Sequence, residues 1–140
     1  MEYNNRNRGA IQNRDRARQI IDFSRVRFGN ITPTDVDGMI EWHNRAFIFY
    51  ELKLSGAVMP EGQRLALERI SARLGECAVV FVCEHDVIDA SKDIPADKTI
   101  VRRLCWCGKW HDDTNGRTLL EYTQRFIQWV NSAIKPDGGA

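Results

Sequence analysis

The chain has 140 residues, of which 43 % are hydrophobic and 28 % charged, with a formal net charge of +1. That length supports one domain with a real core, and the near-neutral balance by itself selects no polyanionic partner. No stretch approaches the roughly twenty apolar residues of a membrane span, no repeat is present, and the polar start Met1-Glu2-Tyr3-Asn4-Asn5-Arg6 is unlike a signal peptide, so a soluble, cytoplasmic protein without a membrane partner is expected.

In chain order, residues 1–10 read as a disordered basic tail, residues 11–134 as a single domain, and residues 135–140, with Pro136-Asp137-Gly138-Gly139, as a second disordered tail. A helix is predicted over Asn13 to Ser24 and a short strand near Val26 to Phe28. Residues 1–28 hold seven arginines against Glu2, Asp15 and Asp22. Arg14, Arg16 and Arg18 on the helix would suit bidentate phosphate contacts, and a solvated helix face would account for them equally well.

Thr34 to Trp42 and Ala46 to Leu54 read as strands, rich in β-branched and aromatic residues, joined by His43-Asn44-Arg45 into an antiparallel hairpin. If the loop is those three residues, Trp42 pairs with Ala46, and Asp37 falls opposite Glu51. Directly opposed residues share a side of the sheet with Cβ atoms roughly 4.5–5.5 Å apart, within reach of one cation. Lys53, two residues on, shares that side, and Asp35 falls opposite it as an accessory carboxylate. A loop of even length would put Asp37 opposite Leu52 or Tyr50 and dissolve the cluster. Opposed like charges destabilise a sheet, and a cation is the usual compensation. Hard oxygen ligands favour Mg²⁺, with Mn²⁺ able to substitute. An ordinary surface lattice of Glu–Lys and Asp–Lys pairs would carry the same three letters, because a lone E-x-K is common.

Thr34-Asp35-Val36-Asp37-Gly38-Met39-Ile40-Glu41 followed by Phe47-Ile48-Phe49-Tyr50-Glu51-Leu52-Lys53 resembles the PD-(D/E)xK nuclease superfamily, in which an aspartate on one strand precedes a hydrophobic strand closing on E-x-K. The resemblance spans residues 12–83 as an architecture, with the motif in residues 34–53. It implies a restriction-endonuclease-like αβββαβ core, a mixed central sheet flanked by helices, here with an added C-terminal helix. By resemblance Asp37 and Glu51 hold the metal, the Leu52 backbone carbonyl completes the site and Lys53 assists catalysis. Gln63, early in the next helix, stands where many members place a glutamine; a solvent-facing residue in a first helical turn is the plain alternative. The departure is the proline: Pro33 lies two residues before Asp35 and four before Asp37, which leaves both aspartates open as principal ligand. Asp37 is preferred because it alone opposes Glu51.

Pro60 to Leu74 is predicted as a helix with an apolar stripe of Leu65, Leu67, Ile70 and Leu74, and Ala78 to Val82 as a strand buried on both faces. Thr99 to Trp106 adds a strand whose Arg102, with Lys109 beyond it, forms a second candidate phosphate-binding patch. Strand alternation allows only one of Arg102 and Arg103 to face a substrate. Leu119 to Ile134 is an amphipathic helix with Leu120, Phe126, Ile127, Val130 and Ile134 facing the core.

The expectation is therefore a Mg²⁺-dependent deoxyribonuclease, an endonuclease of the small resolvase or phage type that acts on DNA structure rather than sequence. Two sites, and so a homodimer, would be needed to cut both strands. A non-catalytic nucleic-acid- or protein-binding module on the same fold is the alternative. A zinc-binding domain built from Cys105, Cys107 and His111 with Cys83 or His85 is disfavoured, because C-x-C is tighter than ordinary zinc spacing.

Overall fold

The structure, a computed structural model, describes Asp15, residues 18–112 and residues 114–136. Arg14, Arg16, the tail over residues 1–10 and the last four residues lie outside the described residues. Residues before Thr34 belong to a unit apart from the one that begins there. In that first unit residues 19–23 have no regular structure, and Phe28 makes only an isolated bridge with Ile31. The predicted helix therefore does not reach Ser24, and no strand of the sheet forms at Val26 to Phe28. Ile20, Ile21 and Phe23 are exposed, so this stretch lacks the packing that holds most short helices together.

From Thr34 onward the chain builds one five-stranded mixed sheet in the order β1 (Gly38–Trp42), β2 (Ala46–Leu54), β3 (Ala78–His85), β4 (Ile100–Trp106) and β5 (Lys109–His111). Every neighbouring pair is antiparallel except β2 and β3, which run parallel. Helix α1 (Glu61–Leu74) is the crossover that a parallel pair requires. Helix α2 (Leu119–Ala133) follows the sheet. The expected mixed α/β class is thus present, with helices on both faces.

The β1–β2 register matches the expected one, with Trp42 opposite Ala46 and Met39 opposite Phe49. His43 and Asn44 both adopt left-handed backbone conformations, and the Arg45 amide donates to the Trp42 carbonyl at 2.8 Å. Asparagine tolerates that conformation better than most residues, which suits it to the corner.

Strand β3 is buried along Ala78 to Cys83 because helices cover both of its sides. One face packs Ile48, Tyr50, Val79, Phe81, Cys83 and Val101 against Leu119 of α2. The other packs Phe49, Ala78, Val80 and Cys105 against Leu67 of α1. Ile70, expected in the core stripe of α1, is 37 % exposed, and the line that meets the sheet is Gln63, Leu67 and Ser71. That i, i+4, i+8 line carries two polar residues, which apolar periodicity does not register. Helix α2 starts at an N-cap: the Glu121 amide donates to Thr118 Oγ1 at 3.2 Å. Leu120, expected inward, is 44 % exposed, while Leu119 and Thr123 are buried.

The Cys-Trp-Cys segment is a hairpin. Cys107 and Gly108, both at positive φ, form the two-residue turn between β4 and β5. Cys83 and Cys105 lie in the cores on opposite faces of the sheet and so do not converge. Gly108 also donates its amide to Ser71 Oγ at 3.1 Å, and a Cβ there would come within 2.8 Å of Ala72 Cβ. Gly108→Ala is therefore expected to lower the unfolding free energy by about 2 kcal/mol, through left-handed strain and collision with α1, read as an earlier midpoint in urea.

Candidate functional site

Glu51 sits at the centre of the site because two periodicities collide. Along β2, Phe47, Phe49, Glu51 and Lys53 share the face covered by α1. The first two are core residues, and the strand carries Glu51 to the margin of the same core, where it is only 3 % exposed. One step beyond the last paired residues, Gly38 and Tyr50, stand Asp37 and Glu51. The Leu52 amide donates to Asp37 Oδ2 at 2.7 Å, pinning the aspartate against the strand that bears Glu51.

Lys53 Nζ stands 3.2 Å from Glu51 Oε1 and donates to Gln63 Oε1 at 2.9 Å. Gln63 is itself 6 % exposed, so the solvent-facing alternative for it is overturned: the first turn of α1 presses it onto the sheet. Its Nε2 donates to the backbone carbonyl of Asp35 at 3.5 Å. Asp35 precedes β1, so the ladder stops before it would meet Lys53, and its recorded contribution is that carbonyl.

The electrostatics follow from burial. Desolvation raises the Glu51 pKa first and the Asp37 charge raises it further, while Lys53 and Gln63 pull it down by hydrogen bonding. Glu51 Oε2 is buried and has no hydrogen-bond partner among the described residues. Buried carboxylate oxygens are normally satisfied, so an orphan one beside a second carboxylate is a position where a cation fits. The donor set suits a hard divalent ion: carboxylate oxygen from Asp37 and Glu51, with no imidazole or thiolate contributing. Among the described residues no group of three or more His, Cys, Asp or Glu side chains converges, so any ion here would complete its shell with backbone oxygen, water or substrate.

Two further residues reach the same face. Glu84 is the register partner of Lys53 on β3, and Arg102 Nε donates to Glu84 Oε2 at 3.1 Å. The ladder between β3 and β4 slips between Val82 and Cys83, which pair with Arg103 and Val101 and leave Arg102 as an inserted residue. That bulge breaks the alternation expected of a strand. Arg103 consequently joins Arg102 on the α1 side, its guanidinium 4.7 Å from the Trp110 ring centroid and bonded to Asp112 at 2.9 Å. Nothing in the local sequence announces the bulge, so the expectation of a single inward arginine fails here. Lys109 pairs with Trp106 and so takes the opposite face, away from Glu51. Arg18 is exposed in the separate N-terminal unit.

No family model, curated protein or solved structure matches the chain.

The Glu51 pKa is raised in the folded state, so its ionised form opposes folding. Its contribution to stability falls as pH climbs from the ordinary glutamate range, about 4.3, through the raised folded value. In EDTA at neutral pH, Glu51→Gln is therefore expected to melt above the wild type by on the order of a few degrees, with the gap closing in acid where wild-type Glu51 is protonated in both states. A variant that melts lower at neutral pH would show that the Lys53 pairing outweighs burial.

Proposed function

We propose that the chain is a divalent-metal-dependent phosphodiesterase acting on DNA, an endonuclease of the PD-(D/E)xK type with a restriction-endonuclease-like core. The observation that carries the reading is the buried Oε2 of Glu51, without a hydrogen-bond partner among the described residues, set across the hairpin from Asp37 and beside a lysine two residues on. A sheet margin that carries opposed acids is costly, and a cation bound by Asp37 and Glu51, with the Leu52 carbonyl alongside, would offset that cost. Mg²⁺ fits such an oxygen set and Mn²⁺ would substitute. When bound, the ion supplies Lewis-acid polarisation of the phosphoryl oxygen and of the attacking water.

The residues of the chain do the rest. Lys53 is oriented by Glu51 and Gln63, which leaves a donor of its ammonium for the attacking water or a phosphate oxygen. Gln63 fixes Lys53 and spans to the loop at Asp35, coupling the start of α1 to the entry of β1. Arg102 and Arg103 lie on the same sheet face as Glu51 and would neutralise flanking phosphates, extending the patch first expected at Arg102 alone. Cutting is structure-selective on this reading, with a homodimer placing one site on each strand.

The test is a gel. Purified protein is incubated with supercoiled plasmid, linear duplex, single strands and a four-way junction in Mg²⁺, Mn²⁺ or EDTA, beside Lys53→Ala and Asp37→Ala. Metal-dependent cleavage that falls at least about a hundredfold in Lys53→Ala is the expected result. Mn²⁺ is also expected to raise the wild-type melting temperature and to leave Asp37→Ala unmoved. Absence of cleavage on every substrate, with wild type and variants alike, would replace the nuclease by a binding module on the same sheet.

A further inference from the structure

The sheet face opposite Glu51 holds a groove that the candidate site does not use. It lies between β3–β5 and the second half of α2, with a volume of about 730 Å³, within the range of small-ligand sites. Its walls are aromatic. Trp129, 37 % exposed, stands edge-on to Trp106 with ring centroids 5.7 Å apart and stacks against Phe126 at the same separation. The Trp106 indole is anchored by its N–H to the Glu76 carbonyl at 3.2 Å, so that wall is fixed in orientation.

The polar groups around the groove are one-sided. Arg125, His111 and Gln128 line it, and among the described residues no carboxylate does. Arg64, Arg102 and Arg103 are each paired with an acid, whereas Arg125 and His111 have no ion-pair partner among the described residues. An arginine without an ion pair beside aromatic faces is the arrangement that holds a flat ring carrying an anion.

We propose that this groove binds a nucleobase together with its phosphate. The base lies against Trp129 and Trp106, Gln128 meets its edge, and the phosphate is held by Arg125 with His111 beside it. The same chemistry is offered by a free nucleotide and by a base turned out of a nucleic-acid strand. The inference stands on this groove alone and does not require the reading of Glu51 as a metal ligand.

The indole N–H signals of the four tryptophans, assigned by single Trp→Phe variants, test it by nuclear magnetic resonance. Thymidine 5′-monophosphate, thymidine, inorganic phosphate and a short oligothymidylate are titrated in EDTA. Trp106 and Trp129 are expected to shift with the nucleotide while Trp110, on the other face, stays in place. Arg125→Ala, an exposed position on α2, is expected to weaken nucleotide binding about tenfold and to leave thymidine binding unchanged. Tighter binding of the oligomer assigns the groove to a strand, and equal binding assigns it to a free nucleotide. The proposal is overturned if neither indole moves with nucleotide or oligomer, or if thymidine binds as well as its phosphate. Lys53→Ala should bind like wild type, so loss of cleavage and loss of this binding are separable.

Discussion

The register of one hairpin governs the candidate site. Two left-handed residues, His43 and Asn44, close a three-residue connection, and that odd length sets Asp37 rather than its neighbours opposite Glu51. Shift the pairing by one and Asp37 leaves the side of the sheet that carries Glu51 and Lys53. The hydrophobic burial of Phe49 against Leu67 and Val80 fixes which face of β2 meets α1, and that choice carries Glu51 into an environment a carboxylate would not otherwise occupy.

How this is tolerated explains the first turn of α1. Gln63 is buried where a hydrophobic residue would pack more favourably, and its amide spans Lys53 and the Asp35 carbonyl. Helix, hairpin and preceding loop are therefore tied through one side chain. The two carboxylates also differ in environment: Asp37 is exposed and anchored by the Leu52 amide, whereas Glu51 is enclosed and pushed toward its neutral form. A pair of unlike acids beside a positioned lysine is the arrangement expected where charge is to be managed at a reaction centre. It lies toward the carboxyl end of the parallel β2–β3 pair, the side on which open α/β sheets place their ligands.

Much of this was legible in the residues, and the rest failed for physical reasons. Strand alternation and the odd loop located Asp37, Glu51 and Lys53 on one face, because both rules are local and a three-letter loop settles them. The β4–β5 hairpin was hidden in Cys105-Trp106-Cys107-Gly108, where cysteines invite a metal reading and a Cys-Gly corner is an unusual turn pair. Arg103 was misplaced because a bulge depends on the partner strand and not on the strand's own pattern. The helix expected over Asn13 to Ser24 does not extend through residues 19–23, because propensity without a packed face does not hold a helix. The aromatic groove went unread because its walls come from three strands and a helix, and only the fold brings Trp106 to Trp129.

The two faces of the sheet divide the polar work. On the α1 face Arg102 is held by Glu84 and Arg103 by Asp112, so those cations sit in a lattice of opposed charges. On the α2 face Arg125 stands beside aromatic rings and has no ion-pair partner among the described residues. A polyanion approaching the first face must displace carboxylates from the arginines it contacts, which lowers affinity. An anion approaching the second meets no such competition. If one nucleic-acid ligand used both, the α2 groove would supply the binding and the α1 face the discrimination, a division that places grip and chemistry on opposite sides of the same five strands.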